Sequence, residues 1–341
     1  MIVVQSPTRV DLAGGTLDLW PLYNFIGGAL TINLAIDVWT KVTLNPNNSG
    51  VFEIQSHDLK QSWTFENYET FYLAIDPKLQ LYQSVISKFH QKYKNIIESG
   101  FSLTTQSESP IGGGLGGSSS LVISLMKAFA QMTQHQFNSI HDMVHWAHNI
   151  EAEILNTPTG TQDYYPAITG GLSYLQYDTY GIEQDVLDPK GSPLYENFLL
   201  VYTGRSHHSG LNNFEVLKSA IVQDPKVISA LKKIKLISDE MKKVIDLKKW
   251  NELPHLFRQE YDARIQLTTA FTSPEIERLH QIGLSNGAEA VKICGAGGGG
   301  CVLVWVEPKN RQKVIQACEN EKFQCLSARP VSPLNLKSFG L

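Results

Sequence analysis

The chain contains no long apolar run, and none of its hydrophobic stretches approaches the ~20 residues that a membrane-spanning helix requires. Its start, Met1-Ile2-Val3-Val4-Gln5-Ser6-Pro7, has neither a basic segment nor a sufficient apolar one, so no secretory signal is expected. Cysteine is scarce: Cys294, Cys301, Cys318 and Cys325 are the only four, all within the last fifty positions. Their spacings lack the Cys-x-x-Cys of a zinc site, and a disulfide framework would not leave the rest of the chain uncovered. Reduced core thiols in a soluble cytoplasmic protein are the expectation. Positive charge is not clustered either. Lys+Arg 29 against Asp+Glu 33 leaves a formal net charge of −4, which argues against nucleic acid as a partner, because phosphate-backbone binding depends on grouped cations. A small anion stays open, since backbone N–H groups bind one without net charge.

What is present is an ordinary globular composition, 42% hydrophobic and 18% charged in 341 residues. That length suits about two domains at the usual ~100–200 residues each. Residues 2–4 and 9–12 read as short strands around Pro7, residues 29–42 are β-rich, and residues 51–65 look like an exposed hairpin. Helical spacing covers 79–97, 121–132, 141–155, 225–247, 250–270 and about 309–320, with strands at 101–106, 172–177, 198–202, 291–294 and 301–306. The polar Gly/Pro-containing stretch 185–193 is the preferred boundary, dividing the chain into 1–190 and 191–341. Strands and helices alternate without a regular βαβ beat, which favours α+β. A last extended segment could pack back on the first domain.

Gly112-Gly-Gly-Leu-Gly-Gly117 leads into a helix at Ser118-Ser119-Ser120. A loop this bare lets backbone approach a ligand closely, and the first helical turn offers free N–H groups at the positive end of the helix dipole. The serines could cap that turn or bind a metal or phosphate oxygen. Gly112, Gly114 and Gly117 satisfy G-x-G-x-x-G, but so do Gly295, Gly297 and Gly300, and the acidic strand end of a dinucleotide fold is missing. A Walker loop needs Lys where Ser118 stands. A structural glycine turn is the bland alternative; a non-Walker phosphate cradle fits best.

Three segments carry a resemblance. Ser6-Pro-Thr-Arg-Val-Asp-Leu-Ala-Gly-Gly15, Gly112–Ser120 and Lys292-Ile-Cys-Gly-Ala-Gly-Gly-Gly-Gly-Cys301 resemble, in order and separation, the three motifs of the galactokinase–homoserine kinase–mevalonate kinase–phosphomevalonate kinase (GHMP) family. Leu-Ala-Gly-Gly-Thr-Leu-Asp18 and Gly-Thr-Gln-Asp-Tyr-Tyr165 are most similar to its heptose-7-phosphate kinase and fucokinase-like sugar branch. The resemblance implies a two-domain α+β fold, with an N-terminal domain like a ribosomal-protein fold and a ferredoxin-like C-terminal domain. It also implies ATP, Mg²⁺ and transfer of phosphate to a small-molecule hydroxyl.

By motif position, Gly112, Gly113, Gly114, Leu115, Gly116, Gly117, Ser118, Ser119 and Ser120 would hold the nucleotide, with Ser118 on the magnesium ion. Glu151 matches the second magnesium-binding carboxylate. It also has a physical case, because it falls inside the apolar arc of Met143, Val144, Trp146, Ala147, Ile150, Ile154 and Leu155, where a carboxylate needs a cation or dense donors. Asp163 matches the catalytic carboxylate that orients or deprotonates the attacking hydroxyl, and Arg9 the basic residue that pairs with it. Asp18, with Gly15 and Thr16, matches the residues that hold sugar hydroxyls. Gly295, Ala296, Gly297 and Gly298 would line the site from the second domain. Arg205 and His207 are candidates for an acceptor phosphate or carboxylate. Three positions depart from the family pattern: Thr16 where Gly-Glu-His is common, Gly117 where Ser or Thr is frequent, and Cys294 for a Thr or Ser. The expected activity is phosphorylation of a monosaccharide or sugar phosphate, at the anomeric hydroxyl, by a monomer or homodimer. A mevalonate-type kinase and a non-catalytic sugar or nucleotide sensor are the alternatives.

Overall fold

The computed structural model describes residues 1–206, 209–295 and 297–336. The β-branched, charge-poor start of the chain forms two long strands, β1 (Ile2–Ala13) and β2 (Ala29–Pro46). Pro7 does not split β1 as the sequence suggests. The strand continues with a register shift between Pro7 and Thr8, a bulge that accommodates proline's missing N–H. The first sheet is completed by β3 (Phe52–Ser56), β4 (Gln61–Phe65), β5 (Phe101–Ser107), β6 (Leu172–Tyr177) and β7 (Ile182–Leu187). Its order is β4-β3-β5-β2-β6-β7, with β1 also on β2. The length of β2 explains this arrangement: its late residues pair with β5, its early ones with β6, and β1 runs along the other edge. β7 occupies the start of the stretch read as a boundary.

The second sheet is antiparallel: β8 (Phe198–Tyr202), β9 (Ala288–Ile293), β10 (Cys301–Val306) and β11 (Gln324–Leu326), in the order β11-β8-β10-β9. The run Cys-Val-Leu-Val-Trp-Val of β10 is buried at every position, as a central strand requires.

Helix Gly117–Thr133 lies across β1 and β2, with Val122, Ile123, Leu125, Met126 and Phe129 fully buried. Helices Gln80–Glu98 and Ile140–Leu155 flank it. The helix expected over 250–270 is shorter, Leu253–Arg264, preceded by a 3₁₀ turn, because Pro254 suits only the first turn. Helix Ser209–Ile221 was absent from the sequence reading. The final segment returns to the first sheet: Val331 N donates to Ala35 O, and Gly171 N to Val331 O. All four cysteines are free thiols, and among the described residues no helix is long and apolar enough to cross a membrane.

Candidate active site

Several loops and helix ends converge on a cavity of about 410 Å³. The glycine loop forms its floor, and how that loop is held determines what faces the cavity. Cys301 N donates to Gly113 O, Arg9 Nη1 to Gly114 O and Arg9 N to Leu115 O, at 2.7, 2.7 and 3.0 Å. With these carbonyls bonded to protein, none is left to repel an anion. The helix then begins at Gly117, after Gly116 in the left-handed conformation (φ 70°), and no side chain caps it. The serines were expected to act as caps; instead they occupy the first turn, because the chain enters through a left-handed glycine. The uncapped N–H groups and the positive end of the dipole remain available. Ser120 turns away from the cavity, donating to Ser6 O and meeting Thr40 Oγ1 in the core.

Arg9 leaves β1 and meets Asp163 at the far side of the loop. Nε donates to Asp163 Oδ1 at 2.8 Å, and Nη2 lies 2.6 Å from the same oxygen. Arg9 is only 5% exposed. Burial opposes its charge, yet Asp163 and Asp11 outweigh that and raise its pKa above the usual range. Arg9 engages only one oxygen of Asp163, and the other, Oδ2, lies beside Gly116 at the cavity wall.

Glu151 comes from helix Ile140–Leu155 and is buried, as its place in the apolar arc predicts. Ser118 Oγ donates to its Oε1 and Ser119 Oγ to its Oε2, both at 2.6 Å. Burial raises its pKa, partly countered by these bonds, and the Tyr164 hydroxyl beside it is pushed well above its ordinary value. Among the described residues no cation pairs with this carboxylate, and no group of three or more His, Cys, Asp or Glu could hold a metal alone. One buried carboxylate and one hydroxyl form a hard-oxygen set of the kind that holds Mg²⁺ together with nucleotide phosphates.

The loop between helix Ile140–Leu155 and Asp163 wraps Asp18. Gln162 N donates to Asp18 Oδ2 at 3.0 Å, and a Cβ on Gly160 would fall 1.9 Å from that oxygen, so only glycine fits there. Burial lifts the Asp18 pKa from 3.8 to about 6, against the pull of the Gln162 bond.

Comparison with known proteins reports on the fold and on the reaction class. The description "GHMP kinases N terminal domain" matches residues 80–171, and "GHMP kinases C terminal" matches residues 230–325, together more than half of the chain. The chain belongs to the GHMP kinase family. It is a phosphotransferase that uses an alcohol group as acceptor, with the family's two-domain fold. A D-glycero-alpha-D-manno-heptose 7-phosphate kinase of Campylobacter jejuni is 28% identical over 327 residues, 94% of both chains. A mevalonate kinase of Pyrococcus abyssi is 22% identical, over 92% of this chain and 90% of its own. Among solved structures, the Methanococcus jannaschii mevalonate kinase superposes with a TM-score of 0.78 at 20% identity, covering 97% of this chain and 98% of its own. A D-glycero-D-manno-heptose 1-phosphate kinase from Bacteroides thetaiotaomicron gives 0.76 at 23% identity, covering 98% and 97%.

In this kinase the cavity gathers Arg9, Thr16, Asp18, Gly112, Gly113, Gly114, Gly116, Gly117, Ser118, Ser119, Glu151, Asp163 and Gly295 from the sequence reading. Leu115 is buried in the core, and Gly297 packs on the Phe271 backbone. Gly298 and Arg205 do not line the cavity. Arg205 Nη1 bonds Glu275 Oε2 at 3.3 Å, while its carbonyl accepts from Gly300 N. His207 and Ala296 lie outside the described residues. The sequence reading missed Asp58, Lys78, Tyr82, Gln162, Asn213 and Arg264, all of which line the cavity.

Proposed function

We propose that this kinase transfers the terminal phosphoryl group of ATP to a hydroxyl of a monosaccharide or sugar phosphate, the anomeric hydroxyl of a heptose 7-phosphate being the first candidate. The observation that carries this reading is the Asp163 carboxylate, bound by Arg9 through Oδ1 alone, beside an uncapped helix start in one cavity. The ATP phosphates would rest on the glycine loop and the first-turn N–H groups of helix Gly117–Thr133. Ser118 and Glu151 are the residues that would hold Mg²⁺; when bound, the ion supplies charge neutralisation at the phosphates.

The acceptor hydroxyl would sit at Asp163 Oδ2, with Asp18 accepting from neighbouring hydroxyls. As the acceptor oxygen bonds to phosphorus, the bond from phosphorus to the ADP oxygen breaks, and the hydroxyl proton passes to Asp163. Arg9 would hold Asp163 in place through its bonds to Oδ1, leaving Oδ2 for the acceptor. The domain division is read at about residue 190, between the last strand of the first sheet and the first strand of the second.

The test is ADP release on mixing protein and MgATP with heptose 7-phosphate, fucose, galactose or mevalonate. Acceptor-dependent release from a sugar that falls at least about 10²-fold in Asp163→Asn is expected. Release only with mevalonate, or tight sugar binding without turnover, would overturn the sugar-kinase reading.

A further inference from the structure

Arg264 closes helix Leu253–Arg264, a position where a cation usually faces solvent beside the helix's negative end. Here the side chain is 1% exposed and crosses to β1. Nε donates to Glu260 Oε1 at 2.7 Å, and Nη2 to Asp11 Oδ2 at 2.8 Å and also to Glu260 Oε1. Lys292 completes the group, its Nζ donating to Asp11 O at 2.6 Å and lying 3.5 Å from Glu260 Oε2. Two carboxylates thus balance two cations, all fully buried.

Nη1 remains. It has no protein acceptor among the described residues, and Arg264 lines the cavity. Gly15 keeps this corner open: a Cβ there would stand 2.2 Å from Asp11 Oδ2 and 3.0 Å from Arg264 Nη1. Thr16, Asp18 and Asn213 line the same cavity, with Thr16 Oγ1 donating to Asn213 Oδ1 at 3.0 Å. A guanidinium N–H that opens on the cavity needs an oxygen once a ligand fills it. Its charge is already offset by Asp11 and Glu260, and Asp18 lies near as well, so the corner does not favour an anion.

We propose that Arg264 Nη1 donates to an uncharged oxygen of the acceptor, a ring hydroxyl, while Asp18 accepts from a neighbouring one. This corner then reads the hydroxyl pattern of the acceptor, and any phosphate the acceptor carries points away from it. The inference rests on the sugar-kinase reading above.

Arg264→Lys keeps the positive charge between Asp11 and Glu260 but removes the forked donor. Steady-state kinetics should show the acceptor KM raised about tenfold or more, the scale of a lost hydrogen bond from a charged group, with the ATP KM within about twofold. A series of acceptor analogues, each lacking one hydroxyl, adds a readout that a merely structural role would not move. The parent should lose affinity for one particular deoxy sugar, and Arg264→Lys should no longer distinguish it from the full sugar. A folded Arg264→Lys with unchanged acceptor KM, or with deoxy discrimination intact, overturns the inference. Should that variant fail to fold, Gly15→Ala intrudes on the same corner and carries the same expectation; failure of both to fold would mark the cluster as structural and overturn it too. A parent inactive on every sugar refutes the function itself, whereas an active parent with an unshifted variant refutes this inference alone.

Discussion

Replacing Asp18 by Asn separates what the carboxylate would do for an acceptor under the proposed function from what it costs the fold. Burial lifts its pKa from 3.8 to about 6, although Gln162 N bonds it. A carboxyl whose folded pKa exceeds its unfolded one holds its proton more tightly in the fold. Its contribution is therefore favourable below about pH 4 and is lost as pH rises through about 6. At pH 8 the ionised group costs the fold about 3 kcal/mol, at ~1.36 kcal/mol for each tenfold change in proton affinity. Asn is close to isosteric and its Oδ1 accepts the same bond, so that cost disappears. With ~2.1 cal/mol/K of unfolding entropy per residue over 341 residues, this corresponds to roughly 4 °C in Tm. Calorimetric melts of parent and variant between pH 4 and 8, with acceptor kinetics alongside, provide the assay. The variant should melt about 4 °C higher at pH 8, lose that advantage by pH 4, and show an acceptor KM raised about tenfold at pH 8. A stability difference independent of pH, or a variant less stable at pH 8, refutes the reasoning.

Glu151→Gln removes the carboxylate that both Ser118 and Ser119 address. Its kcat should fall about 10²–10³-fold and its half-saturating Mg²⁺ concentration should rise, measured by magnesium titration at saturating acceptor. Lys127 lies buried between Ser6 Oγ and Ala167 O, and burial lowers its pKa from 10.5 to about 7. Its charge therefore costs most at and below pH 7, and the cost fades toward pH 10.5. In denaturant melts at pH 6.5, 8 and 9.5, Lys127→Met should lose ground to the parent as pH rises; a pH-independent difference would refute the burial argument.

Local patterns were legible in the sequence. The apolar run of β10 declared a covered strand, the bare glycine loop declared a break before a helix start, and Glu151 stood out because a carboxylate interrupted an apolar arc. Features set by distant partners were not legible. Whether Pro7 divides β1 depends on the register with β2, which tolerates a bulge there. Helix Ser209–Ile221 was missed because Val216, Leu217 and Ala220, the buried apolar residues among those whose burial is described, crowd its second half. Arg264 reads as a solvent-facing cation at a helix end until Asp11, 253 residues away, draws it inward. The same holds for Lys78 and Asp58, which reach the cavity through turns with no motif of their own.

The cavity is referenced to both sheets at once, and this bears on how a loop of glycines can act as a precise anion site. Glycine carries the largest backbone entropy, so an untethered loop would lose much of its phosphate affinity to the cost of ordering. Here the ordering is done by folding. Arg9 takes Gly114 O and Cys294 O in one hand and Asp163 in the other, while Cys301 N holds Gly113 O from the second sheet. Lys292 from the second sheet reaches Asp11 O on the same strand that carries Arg9. These ties use carbonyls and one carboxylate oxygen, and they leave the helix N–H groups unspent. Under the proposed function, phosphate would meet donors already in position, and the aspartate proposed to aim the acceptor is fixed by the same arginine that fixes the loop. A shift of one sheet relative to the other would therefore disturb the glycine loop and Asp163 together, so under the proposed function the packing of the two sheets would be part of the alignment for transfer.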